Sequence, residues 1–446
     1  MMNSSKSMTE GPLTMKILRY AIPLALTAIF QQLFNAADIA IIGRYVGTDA
    51  MAAVGANSPL INLFVNLFVG ISLGTNVVIS HAVGSQNKDD LHKAVHTSIY
   101  IALIGGIFMC ILGELLAPII LGLISVPENV FPLALLYLRI YLLGIPVIFL
   151  YNFESAIYRG YGNTKTPLIA LSFSGIINVL LNLFCVLVIH MSVEGVALAT
   201  AVSNLVSSSI LFILLVKTPE EIRIKFSELK IDSVILKRIL NIGIPSGIQS
   251  SVFSFANVVV QSAINSLGAV VIAASSAALN LEIFAYFIMN AFGQACTTFV
   301  GQNYGAGKLD RCKKTFTRSI LLSMVFTFSA ISIILVFGKT LLAIFNNDPA
   351  VIEAGYLRLI IIFFAYFFSV WQEMGSGYLR GYGRSMVPAM ISMIGIVSTR
   401  VLWVLFIFPK SPSLLTITLI YPISLGLVSI AIMIAIYIIK PHQIRT

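Results

Sequence analysis

Apolar and polar stretches alternate along the chain so as to leave twelve apolar segments, near residues 15–43, 55–83, 93–117, 132–157, 166–190 and 195–216, then 237–264, 274–301, 315–338, 350–377, 387–408 and 414–439. A helix needs roughly 20 apolar residues to cross a bilayer, and these segments meet that length. They are apolar on all sides, as Ile320 to Phe337 shows, and lack the residue-by-residue alternation of barrel strands. The pattern predicts an all-α polytopic membrane protein with twelve transmembrane helices.

The order of segments and turns occurs twice. Arg159-Gly160-Tyr161-Gly162 returns in the second half as Arg380-Gly381-Tyr382-Gly383, and Pro167, Gly84, Ser98 and Ser203 are answered by Pro388, Gly305, Ser319 and Ser424 at the same spacing. Nearer the start the spacing is longer by one, where Ile22-Pro23 meets Ile244-Pro245 and Asn35 meets Asn257. Duplicated apolar halves are a common way for transporters to build a site between two related bundles. The expected organisation is a tail at 1–14, an N-lobe at 15–216, a linker at 217–236, a C-lobe at 237–440 and a tail at 441–446. The repeated Arg-Gly-Tyr-Gly reads as a structural turn, since glycine permits a sharp reversal after a span.

Composition agrees with this pattern: the chain is 58% hydrophobic and 10% charged, with a mean hydropathy of +0.95, too apolar for a soluble domain. Its net charge of +10 does not point to nucleic acid. Of the 28 Lys and Arg, 22 lie in the tails and the even-numbered loops, so the positive-inside rule places both termini in the cytoplasm of a cell-membrane protein. Arg44, Arg139, Lys339, Arg358 and Lys410 fall to the opposite face, and Arg400 stands alone deep in a span. The polar residues 1 to 14 lead directly into the first span, so no cleavable signal peptide is expected. Cys110, Cys185, Cys296 and Cys312 have no metal-type spacing and read as reduced packing residues. The glycine-containing loop from Gly301 to Lys308 fails as a phosphate-binding loop, because Leu309 stands where Ser or Thr is required. His92 and His96 have the spacing of a zinc pair, but Lys93 occupies the place of the glutamate that a metalloprotease needs. With no set of nucleophile, base and orienting group, no enzyme and no cofactor are expected.

The informative residues are polar ones inside the spans. Asp38 lies deep in the first, and Gln31, Asn35 and Asp38 share one helical face. Intramembrane carboxylates are costly and by default functional. Ser174, Asn178 and Asn182 form a matching stripe in the fifth span, and Thr200, Asn204 and Ser207 another in the sixth. One carboxylate among amide and hydroxyl oxygens suits a proton or a small hard cation such as Na⁺. For the amides and hydroxyls taken singly, interhelical hydrogen bonding is the alternative. Asp38 has no counterpart in the second half, where Val260 aligns with it. That half carries Ser250, Ser254, Asn257 and Gln261 in the seventh span and Glu282, Tyr286, Asn290 and Gln294 in the eighth. Glu282 is the second carboxylate expected to function, with Glu373 a third candidate and Glu154 a weaker one, the alternative for both being to snorkel or pair at the nearby cytoplasmic turns.

Together, the twelve spans in two halves, the Ile-Pro openings, Gly301-Gln302-Asn303-Tyr304-Gly305 and Leu379-Arg380-Gly381-Tyr382-Gly383 resemble the multidrug and toxic compound extrusion (MATE) transporters over roughly residues 12 to 440. The resemblance implies a V-shaped fold of two six-helix lobes and export of drugs or organic cations in exchange for inward H⁺ or Na⁺. It places Asp38, Asn178, Asn182 and Thr200 at the N-lobe cation site of the DinF-like branch, with Asn182 replacing an acid found in some members. The acids that the NorM-like branch carries in spans 7 and 10 read here as Ser254 and Ser369. Gln31, Asn35, Asn257, Gln261, Glu282 and Tyr286 are the expected substrate-cleft residues, with Glu282 suited to a cationic substrate. No metal is expected beyond Na⁺ at Asp38, and the chain is expected to act as a monomer. The alternatives are a flippase for a lipid-linked sugar, which needs several basic residues where Arg400 is the single one found in a span, and a receptor or scaffold that transports nothing.

Overall fold

A computed structural model gives the structure of the chain, describing residues 8–123 and 126–441. The tail at 441–446 therefore lies, after Pro441, outside the described residues, as do the first seven residues of the tail at 1–14. The described residues are helical, with turns between helices and no strand.

Six helices come from the first half: α1 (Leu13–Tyr45), α2 (Thr48–Gly84), α3 (Lys88–Leu123), α4 (Phe131–Tyr161), α5 (Lys165–Leu183), continued by a π-helical turn over Phe184–Val188, and α6 (Val193–Lys217). The second half gives α7 (Ser233–Asn265), α8 (Ala269–Gly305), α9 (Leu309–Val336), the short α10 (Gly338–Ala343) and α11 (Pro349–Gly381). Its last two spans are broken into shorter pieces, namely α12 (Met386–Ser392), α13 (Ser398–Leu402), α14 (Leu414–Thr418) and α15 (Ile420–Ile439). The repeat reappears as backbone, because the starts of α2 and α8, α3 and α9, α5 and α12, and α6 and α14 are all separated by the spacing that relates Arg159 to Arg380. Among the described residues eleven helices are long and apolar enough to cross a membrane. The seventh, α7, has the length at 33 residues but not the apolarity, because Ser246, Gln249, Ser250, Ser251, Ser254, Asn257, Gln261 and Asn265 crowd it.

The repeated turn closes both central helices in one way. Gly162 adopts φ 104° and Gly383 φ 77°, the left-handed conformation that ends helices without penalty to glycine. Their N–H groups bond the Arg159 and Arg380 carbonyls at 3.0 and 2.7 Å.

The contacts divide the chain into two compact units, one of residues 26–240 and one of residues 1–25 with 241–446, so that α1 and α7 each run from one unit into the other. In the first unit α4 is central, packed on α2, α3 and α6, with Phe149 and Phe153 fully buried and Phe68 stacked on Phe149. The segment after α6 is fastened to α3. The Lys225 amide donates to His96 Nε2 and the Asp232 amide to Thr97 Oγ1, both at 3.1 Å, while Ile222 and Ile224 are buried. His96 is thereby used as a backbone acceptor. In the other unit α11 is central, packed on α8, α9 and α15. The N-terminal strap joins it through Arg311, which donates to the Glu10 and Gly11 carbonyls, and through Tyr20, whose hydroxyl donates to Thr298.

Candidate functional site

In the unit of residues 26–240, three helices bring their polar residues to one buried point. Asp38 comes from α1, Asn178 and Asn182 from consecutive turns of α5, and Thr200 from α6. The approach of α1 to α5 depends on Gly175, where any Cβ would overlap the ring of Phe34, one turn before Asp38. Asn182 Nδ2 donates to Asp38 Oδ1 at 2.5 Å and also faces Asn178 Oδ1 at 3.3 Å. Thr200 donates to Asp38 Oδ2 at 3.3 Å and bonds its own helix at the Val196 carbonyl. Asp38, Asn178 and Asn182 are all buried. The remaining members of the stripes serve their own helices: Ser174 bonds Leu171, Asn204 bonds Thr200, and Ser207 bonds Asn204.

The donor chemistry fits a proton or a hard cation. The Asp38 carboxylate, Thr200 hydroxyl and Asn178 carbonyl supply oxygens of the kind that such ions prefer. Asn182 Oδ1 is buried without a partner. A half-turn of that amide exchanges N–H for oxygen, and the two orientations are matched by the charge they face. Through N–H the amide suits an ionised Asp38; through oxygen it suits a carboxyl carrying a proton, or a cation lying between them. Among the described residues no group of three or more His, Cys, Asp and Glu gathers to hold a metal ion. The π-helical turn over Phe184–Val188 starts two residues after Asn182, and such turns often accompany functional positions.

A family model described as MatE matches the chain twice, over residues 23–184 and 245–405. The chain belongs to the MatE family. The two matches begin at Pro23 and Pro245, the prolines of the repeated Ile-Pro pair, and they bear out the resemblance read from the sequence. Over 391 residues the chain is 27% identical to a probable multidrug resistance protein, YoeA, of Bacillus subtilis (strain 168), covering 86% of this chain and 84% of that protein. It is 28% identical, also over 391 residues, to a probable multidrug resistance protein, NorM, of Thermotoga maritima, covering 86% and 83%. Among solved structures, an outward-facing multidrug resistance MATE family transporter superposes with a TM-score of 0.91 at 20% identity over 99% of both chains, which establishes the fold.

In this MatE chain the residues read as a substrate cleft do not form one cluster within either unit. Gln31 and Asn35 are exposed on α1, and Gln261 and Tyr286 on α7 and α8. Gln261 donates to Asn265 on its own helix at 2.8 Å. Asn257 instead accepts from Arg400 Nη1 at 2.5 Å. Glu282 is the clearest correction. The residue is only 5% exposed and its carboxylate is gripped by Arg358, Nε to Oε1 at 2.9 Å and Nη2 to Oε2 at 3.2 Å, so it is not a free anion awaiting a cationic compound. Arg358 is corrected with it. The loop count assigns it to the outer face, yet it is 3% exposed within α11, and Arg400 is therefore not the one basic residue deep in a span. The signal is present in the sequence: Arg358 falls inside the segment 350–377, and an acid in a neighbouring span is its natural partner. Glu373 pairs with Arg380 at 3.3 Å. Glu154 does not snorkel. It is fully buried, accepts the Ser208 hydroxyl at 2.9 Å, and leaves Oε1 without a partner.

Proposed function

We propose that this chain is a multidrug efflux antiporter of the cell membrane, exporting organic compounds in exchange for H⁺ or Na⁺, with both termini cytoplasmic and a single chain as the working unit. The observation that carries the reading is the buried Asp38, served by Asn182 and Thr200 with no basic side chain among its hydrogen-bonding partners in the described residues. An intramembrane carboxylate without a fixed counter-charge requires a mobile one. The family match and the names of the relatives supply the class of cargo. Asp38 takes the coupling ion, Asn182 adjusts its amide to the occupied state, and Thr200 and Asn178 complete the oxygen set. Coupling follows because ion and exported compound stabilise different arrangements of α1, α5 and α6.

The flippase alternative is not favoured. The second buried arginine, Arg358, already has Glu282 as its partner, so it adds no free charge of the kind a pyrophosphate requires.

The test is export of a fluorescent organic cation from inverted vesicles under imposed pH or Na⁺ gradients. Gradient-driven export is expected from the wild-type chain and absent from Asp38→Asn. Undiminished export by the variant removes Asp38 from the coupling step.

A further inference from the structure

The repeat places a second buried charge where the first half has its ion site, and the sign is reversed. In the first half the site draws on α1, α5 and α6; in the second half the corresponding segments contribute Asn257 from α7, Arg400 from α13 and Tyr421 from α15. Asn257 is the repeat partner of Asn35, Tyr421 that of Thr200, and Arg400 directly follows Thr399, the partner of Asn178. All three lie within the unit that includes residues 241–446.

Arg400 is fully buried, and among the described residues it is the largest side chain to be so. Its guanidinium spans two aromatic faces, 5.0 Å from the Phe253 ring centroid and 4.7 Å from that of Tyr421. Nη1 donates to Asn257, while Nε and Nη2 have no acceptor among the described residues. The Arg358 guanidinium lies 5.5 Å from the same Tyr421 centroid, so one ring serves both cations and keeps them close. Its Nη1 is likewise buried and unpartnered. Glu282 neutralises one of the two cations, which leaves the group one positive charge in excess and three N–H-bearing nitrogens unsatisfied. Aromatic faces attract a cation but accept no strong hydrogen bonds. A buried charge in this condition calls for a counter-ion. The backbone supports the same conclusion: α13 is enclosed by π-helical turns at Met393–Val397 and Trp403–Ile407, a local loosening of the helix on both sides of Arg400.

We infer that Arg400 and the free edge of Arg358 form a binding site for an anionic group, a carboxylate or phosphate, in the second half of the chain. Arg400 supplies the uncompensated charge and two donors; Arg358, fixed by Glu282, supplies a third. A planar guanidinium is suited to such oxygens, which it engages two at a time. The group comes either from a soluble organic or inorganic anion or from an anionic phospholipid headgroup, since both present the same oxygens. The inference does not depend on the export reading, because it concerns binding alone.

The test uses the full chain purified in neutral detergent, with a bulky sulfonate salt holding ionic strength constant, and thermal unfolding as the readout. Sodium acetate and inorganic phosphate are titrated separately. In a parallel arm without either anion, the chain is placed in phosphatidylcholine nanodiscs with and without phosphatidylglycerol. A saturable rise in Tm with acetate or phosphate identifies a soluble anion, and a rise with phosphatidylglycerol alone identifies a headgroup. In either case Arg400→Gln abolishes the rise, and Arg400→Lys keeps it with affinity weakened at least tenfold. Glu282→Gln, which releases Arg358, strengthens anion binding at least tenfold and gains more stability from the anion than wild type does, a readout that survives even if Arg400→Gln does not fold. The inference is overturned if no probe shifts the wild-type Tm, or if Arg400→Gln and Glu282→Gln respond to anions as wild type does.

Discussion

The contact between Glu282 and Arg358 decides between two roles for a carboxylate that the sequence assigns to cargo. Both oxygens are engaged by the guanidinium fork, at 2.9 and 3.2 Å, and the Tyr366 hydroxyl donates at 3.0 Å to the Glu282 carbonyl. The side chains are 7% and 4% exposed, so water does little to screen the pair. Removing one partner of a buried, hydrogen-bonded ion pair costs about 3–5 kcal/mol, since the other charge is left without compensation. At about 1.4 kcal/mol per factor of ten, the folded fraction in Glu282→Ala falls relative to the unfolded by roughly 10² to 10³ or more. Thermal unfolding of the purified chain then shows a Tm lowered by roughly 5–10 °C, taking about 2 °C per kcal/mol. Arg358→Met is expected to cost a similar amount. The double variant Glu282→Met with Arg358→Met recovers most of the loss, because apolar side chains of similar volume replace buried pairs at little cost. The double-mutant cycle therefore returns a large favourable coupling. The reasoning is refuted if Glu282→Ala melts within about a degree of wild type while binding of organic cations is lost, the pattern of a free cargo-binding acid.

Three further outcomes follow from the first unit. Asn182→Leu removes the 2.5 Å bond to Asp38. A hydrogen bond to a charged group is worth about 1.5–3 kcal/mol, so the concentration of H⁺ or Na⁺ giving half-maximal export shifts by roughly tenfold or more while Asp38 itself is retained. Gly175→Ala forces the Phe34 ring away from α5 and costs about 1–3 kcal/mol by overpacking; a melt and an export rate equal to wild type would show that α1 has room to yield. Asp232 accepts from the Val234 and Ile235 amides at 3.0 Å, and these bonds hold its carboxyl below the usual range. Its contribution is therefore present above the unfolded value near 4 and is lost as pH falls through the lowered one. The protection of amides at the start of α7, taken relative to the intrinsic exchange rate at each pH, should be unchanged between pH 8 and 5 and fall only below about pH 4, whereas Asp232→Ala is poorly protected throughout; loss of protection already near pH 6 would contradict this account.

What the sequence makes legible is periodic or local. Span number, the repeat, the glycine turns and the Asp38 stripe follow from apolar runs, fixed spacing and helical phase, and hydrogen bonds join Asp38 to Asn182 and Thr200, and Asn182 to Asn178. Partnerships between distant segments are not encoded that way. Glu282 and Arg358 stand 76 residues apart, and no pattern in either span names the other. The low apolarity of α7 likewise marks a helix with many hydroxyls and amides without saying which are held, as Gln249 is by Arg380 and Asn257 by Arg400.

The reversed charge of the second half is hidden for a different reason. At the spacing of the repeat, Asn178 aligns with Thr399 and Arg400 with Val179, so a fixed offset assigns Arg400 to a neighbouring face, about 100° around an ideal α-helix. The structure removes that discrepancy through backbone. A π-helical turn accommodates one extra residue, and the second half has one at Met393–Val397, before Arg400, where the first half continues as regular α5 until Leu183. One inserted residue of phase brings Arg400 toward the direction that Asn178 takes in the first half, and α15 presents Tyr421 as α6 presents Thr200. Duplicate halves can thus keep every turn and helix start in register while a single π-turn exchanges which side chain faces the buried point. Here that exchange sets a guanidinium without a carboxylate where the first half has Asn178, an amide that accepts from Asn182, the residue donating to Asp38.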